Sequence, residues 1–164
     1  MGDPVTFQQA QQMPYLQAVI KEALRVHPAV GQPLSRIVPP GGAEIAGRYF
    51  PAGSSIGVNP WVLHRNPDVF GDDADAFRPD RWLDEDREEM LSMDQAIFTF
   101  GLGARTCIGK NISLLEMSKV IPQMYRQFDF VPLAGGRRTQ YETENVWFVK
   151  QDFQCMVKAR KVQK

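Results

Sequence analysis

Residues 98–110 read Phe98-Thr-Phe-Gly-Leu-Gly-Ala-Arg-Thr-Cys-Ile-Gly-Lys110, and this stretch decides how the chain is interpreted. Its glycines allow the backbone to approach a large planar group closely. Cys107 comes just before a predicted helix, whose free N–H groups and positive dipole favour a thiolate. Arg105 adds a fixed positive charge. Cys107 is therefore suited to be an anionic ligand of a soft or borderline metal, although composition alone leaves a buried, inert cysteine equally open.

Other cysteine chemistries fit this stretch less well. A zinc site needs further ligands, but the sequence has no Cys-x-x-Cys pair, and His27 and His64 lie far from Cys107 along the chain. A nucleophilic cysteine would need a histidine base nearby, and none is present. The glycines do not open a dinucleotide-binding loop, because their spacing is wrong and no strand–helix–strand unit follows. The second cysteine, Cys155, lies in a predicted strand and is expected to pack as a small apolar residue.

Two helices are predicted, one early in the chain and one after the cysteine. The first lies between Pro14, which suits a first helical turn, and Pro28, which forces His27 out of helical geometry. The second begins near Gly109 and runs to about Phe128, because its apolar residues recur every three or four positions.

Short strands and one long acidic segment complete the prediction. Prolines and glycines divide residues 31–60 into short apolar runs typical of hairpins. Residues 68–95 are acidic, with Phe70, Phe77 and Trp82 as aromatic anchors, and predict a long ordered loop; a disordered tether stays open as the alternative. Strands are predicted at Leu34–Val38, Glu44–Ala46, Arg48–Phe50, Ser55–Val58, Phe130–Leu133, Val146–Val149 and Met156–Ala159.

Composition excludes several classes of protein. The 164 residues suit one domain, and 43% hydrophobic with 23% charged residues are ordinary globular values. Lysine plus arginine equals aspartate plus glutamate at 19 each, so a nucleic-acid partner is not expected. Two cysteines cannot form a multi-bridge disulfide framework. No apolar run reaches the roughly 18 residues of a membrane span.

Three motifs now point to one family. The stretch Phe100-Gly-Leu-Gly-Ala-Arg-Thr-Cys-Ile-Gly109 resembles, at every position, the haem-binding signature of the cytochrome P450 family of haem-thiolate monooxygenases. Glu22-Ala-Leu-Arg25 resembles the family's Glu-x-x-Arg motif. Phe77-Arg-Pro-Asp-Arg-Trp82 resembles its Phe-x-Pro-x-Arg-aromatic motif, with Asp80 where glutamate is commoner.

The resemblance covers nearly the whole chain, from about Met13 to Arg160. Residues Pro39–Gly47 and Lys110–Glu116 are similar to filamentous-fungal members, including the pisatin-demethylase-like group. The implied fold is α+β and mainly helical, with two long helices, short β hairpins and a long irregular loop before the cysteine-ligand loop. The chain, residues 1–164, would then be a single partial domain from the C-terminal portion of that fold.

The resemblance also implies a cofactor, haem b, with Cys107 as the axial iron ligand. The N–H groups of Ile108 and Gly109 would hydrogen-bond the sulfur. Two arginines would pair with the two propionates, and Phe100 would pack on the proximal haem face. The implied cofactor-binding set is Phe100, Gly101, Arg105, Cys107, Ile108, Gly109 and Arg36.

A charged triad is the second implied feature. On spacing alone, Glu22 and Arg25 predict a solvated pair on a helix surface, which contributes little to stability. The resemblance implies instead that both are buried with Arg81, where removal of one member costs about 3–5 kcal/mol. His64 also stands at a common family position and is expected to be structural.

The implied function is that of the haem-binding segment of an oxygen-dependent monooxygenase. An intact member would use an NADPH-dependent reductase and a small organic substrate at the cytosolic face of the endoplasmic reticulum. The family's oxygen-activating helix is not in this sequence, so we expect the chain alone to be inactive and, without an anchor, cytoplasmic. The alternative is a truncated, non-catalytic fragment without a stable haem site.

Overall fold

The computed structural model describes residues 4–84, 86–133, 142–144, 147–152 and 154–160. The mixture of helices and short strands agrees with an α+β fold. The α-helices are α1 (Phe7–Gln11), α2 (Pro14–Val26), α3 (Pro60–Leu63), α4 (Pro67–Phe70), α5 (Arg87–Ala96) and α6 (Lys110–Gln127). The strands are β1 (Leu34–Ile37), β2 (Ala43–Ile45), β3 (Arg48–Phe50), β4 (Ser55–Val58), β5 (Phe128–Pro132), β6 (Glu142–Glu144), β7 (Lys150–Asp152) and β8 (Cys155–Ala159). Two 3₁₀ turns lie at Pro79–Trp82 and Gly103–Arg105.

Helix α2 begins and ends where its prolines predict. Pro14 occupies its first turn, and His27 leaves helical geometry at φ −129° and ψ 71° before Pro28. The buried face of α2 is not a plain apolar stripe, because Glu22 and Arg25 lie on it beside Ala18 and Ile20. Two charged side chains therefore face the interior of the protein.

The strands pair as antiparallel ribbons. Strand β1 pairs with β4, and β2 with β3 in the hairpin between them. Ala46 and Gly47 form the turn of that hairpin with φ of 50° and 72°, as a two-residue turn with two left-handed residues requires. Strand β5 pairs with β8, and β6 with β7.

The last third of the chain departs from prediction in one place. Val146 lies outside the described residues, and Phe148 forms only an isolated bridge with Val30 rather than belonging to a strand at Val146–Val149. The strands formed there are β6 and β7, which the sequence did not predict because they are short, polar and without apolar alternation.

The segment expected to be an irregular acidic loop contains helices. Ten residues form α5, whose N-cap Asp86 accepts hydrogen bonds from the N–H groups of Glu88 and Glu89, 3.0 Å each. The same acidic residues that suggested a loop stabilise the N-terminus of this helix through its dipole. Met93 packs the helix onto the core.

The apolar core joins α2 to the acidic segment. Phe70 and Trp82 are buried, as their anchor role predicts, but Phe77 is 54% exposed and is no anchor. Core residues shared by α2 and this segment are Ala18, Phe70, Ala74, Trp82 and Met93. By contrast α6, the longest helix, buries only Ser118 and leaves large apolar side chains exposed, among them Ile112, Leu115, Val120 and Met124.

Candidate cofactor site

The glycine-rich stretch forms a closed loop in front of α6. The Cys107 N–H donates to the Phe100 carbonyl over 2.8 Å, which brings the two ends of the loop together. Gly101 and Gly103 take φ values of 68° and 66°, a left-handed conformation that favours glycine. The backbone therefore holds the cysteine at the mouth of a tight turn.

The Cys107 thiol is open to a ligand. The side chain is exposed, and α6 begins three residues later, with Gly109 at its N-cap and no side chain of the described residues capping its first N–H groups. A Cβ built on Gly109 would lie 3.8 Å from the Cys107 Sγ, so the sulfur rests beside bare backbone. An exposed sulfur next to a helix N-terminus is placed as a thiolate ligand requires.

The neighbours of Cys107 differ in their exposure to solvent. Ile108 is fully exposed at 102%. Phe100 is half-buried and Gly101 is buried. A Cβ on Gly101 would make only ordinary contacts, 3.7 Å from the Leu34 side chain on β1, so the requirement for glycine comes from its φ of 68°.

Two arginines of the predicted site form no ion pair with the described residues. Arg36 on β1 is exposed, and its Nη1 donates to the Ser35 carbonyl at 2.8 Å, its one hydrogen bond to the described residues. Arg105 is exposed in the 3₁₀ turn, and within the described part of the chain it has no ion-pair partner. Both guanidinium groups can accept an anionic partner.

A cleft of about 380 Å³ separates the strands from the cysteine loop. Arg36 is the charged residue in its lining, and Phe98 and Leu102 line it from the loop side. Its remaining lining residues are mainly apolar: Leu34, Ile37, Val38, Pro39, Ala43, Ile45, Ile56, Gly57 and Val58.

These residues fit a haem group. No three His, Cys, Asp or Glu residues cluster to hold a metal in the described ranges, so a metal at Cys107 would need a group that brings further ligands. The exposed thiol and the two exposed arginines have the chemistry that an iron macrocycle with acidic substituents needs. The cleft contributes Arg36 and apolar side chains, and neither Cys107 nor Arg105 is in its lining.

Behind the loop lies a buried carboxylate, Glu22, with no exposed surface. Its Oε1 accepts from Arg25 Nη2 at 2.8 Å, from the Arg78 N–H at 2.9 Å and from Arg81 Nε at 3.1 Å. Its Oε2 accepts from Arg25 Nε at 2.8 Å and from Trp82 Nε1 at 2.9 Å. Burial by itself would raise the pKa of Glu22, but the hydrogen bonds from Arg25, Arg78 and Trp82 outweigh it and hold the pKa below its usual value.

Both arginines of this network are buried and tied to backbone. Besides Glu22, Arg25 donates to the carbonyls of His64, Ala74 and Ala76 at 2.6, 2.6 and 2.9 Å. All its N–H donors are thereby used. Arg81 donates to the Phe70 carbonyl at 2.7 Å and to Asp73. The structure therefore brings the three predicted charged residues together in the interior rather than on a helix surface.

His64 is a further buried polar group, and the sequence did not define its contacts. Its Nδ1 lies 2.9 Å from the Arg25 carbonyl, and its Nε2 accepts from the Phe98 N–H at 2.8 Å. Burial lowers the pKa of His64 to about 4, and the cations Arg25 and Arg65 act in the same direction, against the hydrogen bond to Arg25. The ring is therefore neutral at pH 7.

The sequence prediction also missed two hydrogen-bond donors to Glu22, the Arg78 N–H and Trp82 Nε1. Trp82 was visible as the aromatic position of its motif, but its role there required the three-dimensional contact. Cys155 starts β8 opposite Pro132 and is half-buried, outside the glycine-rich loop. It lacks the features that distinguish Cys107.

A family model described as cytochrome P450 matches residues 1–158. The chain belongs to the cytochrome P450 family. The family holds haem iron through a cysteine thiolate and generally uses a redox partner and organic substrates. No helix of this P450 chain, within the described residues, has the length and hydropathy that crossing a membrane requires.

Curated relatives of this P450 chain are fungal. It is 52% identical over 158 residues to a pisatin demethylase of Fusarium vanettenii, which covers 96% of this chain and 30% of the relative. It is 46% identical over 129 residues to a cytochrome P450 monooxygenase of Aspergillus terreus, covering 79% of this chain and 26% of the relative. With a Penicillium brevicompactum monooxygenase, mpaDE', identity is 42% over 139 residues, or 85% and 16% of the two chains.

Proposed function

We propose that this chain is the haem-ligating, C-terminal segment of a fungal monooxygenase and that Cys107 is its axial iron ligand. The observation that carries the proposal is the exposed Cys107 thiol beside Gly109 at the N-terminus of α6. Unpaired backbone N–H groups at the N-terminus of α6 and the positively charged Arg105, two residues before Cys107 in the sequence, suit an anionic sulfur ligand. Cys155, half-buried in a strand, has neither advantage.

Other residues of the loop and of β1 would hold the cofactor. Arg105 and Arg36 would each pair with one propionate, since both carry charge that no carboxylate of the described chain neutralises. Phe100 and Gly101 would pack against the proximal face. The N–H groups of Ile108 and Gly109 would donate to the sulfur and stabilise its charge.

Bound haem supplies the activation of O2 for insertion of one oxygen atom into an organic substrate. The chain's own part in this is to present the thiolate, to hold the propionates and, through the network around Glu22, to fix the loop that carries Cys107. Glu22 pairs with Arg25 and Arg81, and Arg81 also pairs with Asp73, so each charge of the network has an opposite partner within the chain.

The activity of a whole enzyme requires more than this chain contains. The chain spans about 30% of the pisatin demethylase it matches. For the whole protein we propose an NADPH-dependent reductase as electron donor, a small organic substrate and the cytosolic face of the endoplasmic reticulum. The chain by itself should give no substrate turnover coupled to reductant consumption. Hydroxylated product formed by the chain with haem and reductase would contradict this.

A second candidate is a non-catalytic fragment without a stable haem site. The exposed apolar side chains of α6 favour it, because an uncovered apolar surface promotes aggregation. In that case Cys107 would not bind the iron of added haem.

The absorption spectrum of the reduced, CO-bound protein tests the proposal. A thiolate-ligated haem gives a strongly red-shifted Soret band. We expect Cys107→Ala to abolish this band and Cys155→Ala, a matched control, to leave it intact. A red-shifted band that survives Cys107→Ala would overturn the assignment, and its absence from the parent protein would favour the non-catalytic fragment.

A further inference from the structure

His64 joins two parts of the structure through both of its ring nitrogens. The side chain is fully buried, and the bonds on its two sides run to the backbone of α2 and to the start of the cysteine loop. The Phe98 N–H is a donor, so Nε2 must be the unprotonated nitrogen. Nδ1 therefore carries the hydrogen and donates to the Arg25 carbonyl.

The backbone of His64 is held by the same arginine. Arg25 Nη1 donates to the His64 carbonyl at 2.6 Å while His64 Nδ1–H donates to the Arg25 carbonyl at 2.9 Å. This reciprocal pair fixes the ring relative to α2. Phe70 further restricts the ring through an edge contact, with ring centroids 6.4 Å apart. The contacts with Arg25 and Phe70 therefore fix the direction in which Nε2 points, independently of its bond to the loop.

From Phe98 the chain leads directly to Cys107. The Phe98 carbonyl accepts from Gly101 N–H at 3.0 Å, and the Phe100 carbonyl accepts from Cys107 N–H at 2.8 Å. A second tie runs from Thr99 Oγ1 to the Leu24 carbonyl at 2.8 Å. The entry of the loop is therefore fastened to the end of α2 at two adjacent residues, one of them through the imidazole.

We propose that His64 is a positioning residue for the cysteine loop, which acts by accepting the Phe98 N–H on a neutral Nε2 while Nδ1–H is anchored on Arg25. The inference rests on the proposed role of Cys107 as iron ligand. Each ring nitrogen has a distinct task, because Nε2 holds the start of the cysteine loop and Nδ1–H holds the ring on α2. A protonated ring would turn Nε2 into a second donor facing the Phe98 N–H, with Arg25 and Arg65 as neighbouring cations.

Two substitutions separate the two nitrogens. In His64→Asn the amide NH2 falls near the position of Nδ1, so the bond to Arg25 is kept and the acceptor for Phe98 is lost. In His64→Gln the longer side chain places its carbonyl oxygen near Nε2 and keeps the acceptor. Thr99→Val removes the second tie without touching the Phe98 amide and serves as the matched control.

Amide hydrogen exchange at Phe98, measured in the full chain without haem, is a readout that does not depend on the cofactor. We expect exchange at Phe98 to be at least about tenfold faster in His64→Asn than in the parent, with a smaller change in His64→Gln. Tenfold corresponds to about 1.4 kcal/mol. Thr99→Val should leave Phe98 exchange within about twofold. Equal exchange in the Asn and Gln variants, or parent-like exchange in both, would overturn the proposal.

A spectrum links the loop to the ligand. In the reduced, CO-bound protein we expect a smaller red-shifted fraction in His64→Asn and recovery toward the parent in His64→Gln. If both variants fail to fold, the proton-to-nitrogen correlation of the His64 ring in the parent decides, and a protonated Nε2 at pH 7 would overturn the proposal. Survival of the red-shifted band in Cys107→Ala would refute the ligand assignment alone, because Phe98 exchange is measured without haem.

Discussion

Two charged regions of this protein are built on opposite principles. Around Glu22, five hydrogen bonds and two arginines are enclosed in the interior, and the described chain leaves no buried side-chain polar atom without a partner. Around Cys107, the thiol, Arg105 and Ile108 face outward. The charged groups of the first region have their partners within the described residues, whereas we propose that those of the second region find theirs in a bound ligand. The contrast is consistent with the two proposals above, in which buried hydrogen bonds hold the cysteine loop in position and the exposed face of the loop binds a ligand.

The largest effect should come from breaking the closed region. Glu22→Ala leaves Arg25, Arg81 and Trp82 with buried donors and no acceptor, so we expect the free energy of unfolding to fall by at least about 3–5 kcal/mol. Asp94→Ala is the control, because it breaks the Lys21–Asp94 ion pair, whose acid side chain is 54% exposed, and should cost less than about 1 kcal/mol. Urea denaturation measures both. Similar losses in the two variants would mean that the network is no stronger than a surface pair.

Acid should weaken the closed region next. His64 has a pKa of about 4 in the folded protein against an ordinary 6.5, so below pH 6.5 the unfolded chain binds a proton that the folded chain excludes. Stability therefore falls as pH drops from 6.5 to 4, by up to about 3 kcal/mol from this residue. Below pH 4.5 the lowered pKa of Glu22 adds a further loss in the same direction.

The measurement is urea denaturation of parent and His64→Gln at pH 7.5 and pH 4.5. His27 is present in both proteins, so the difference between their pH dependences isolates His64. An equally steep decline in the variant would show that His64 is not the group responsible.

A smaller effect is expected at the N-terminus of α5, which joins the closed region through Met93. Asp86→Ala removes the cap on the Glu88 and Glu89 N–H groups and should cost about 1 kcal/mol. Asp86→Asn keeps a capping oxygen and should recover most of the loss. Circular dichroism-monitored thermal unfolding compares them, and no loss in the alanine variant would show that α5 does not depend on this cap.

The smallest effect on folding should follow changes in the open region. Arg36→Ala and Arg105→Ala remove exposed guanidinium groups without an ion-pair partner in the described chain, so each should change the unfolding free energy by about 0.5 kcal/mol or less. Haem retention should nevertheless fall in both, because a propionate loses its cation. Dissociation of haem to a scavenger protein measures this, and unchanged retention in both variants would remove the arginines from the site.

The same contrast explains what the sequence could predict. The residues of the cysteine loop are contiguous in sequence, so its glycines, Arg105 and Cys107 predicted the candidate site from one short stretch. The network is dispersed over residues 22–82, and only the resemblance connected Arg81 to Glu22. The hydrogen bond from the Phe98 N–H to His64 joins residues 34 positions apart, and the bond from Trp82 to Glu22 joins residues 60 positions apart. No local sequence pattern predicts contacts over such separations. Helix α5 was missed because acidic residues favour both loops and helix N-termini.

Alkylation of the two cysteines with and without haem tests the central claim most directly. The account predicts that Cys107 reacts quickly in the haem-free protein and at least about tenfold more slowly once haem is bound, since the iron–sulfur bond removes the free thiolate. Cys155 should react at the same rate in both. Mass spectrometry of the labelled peptides gives both rates in one sample. A Cys107 labelling rate that does not change when haem binds, or protection of Cys155 instead, would contradict the claim that Cys107 is the haem ligand.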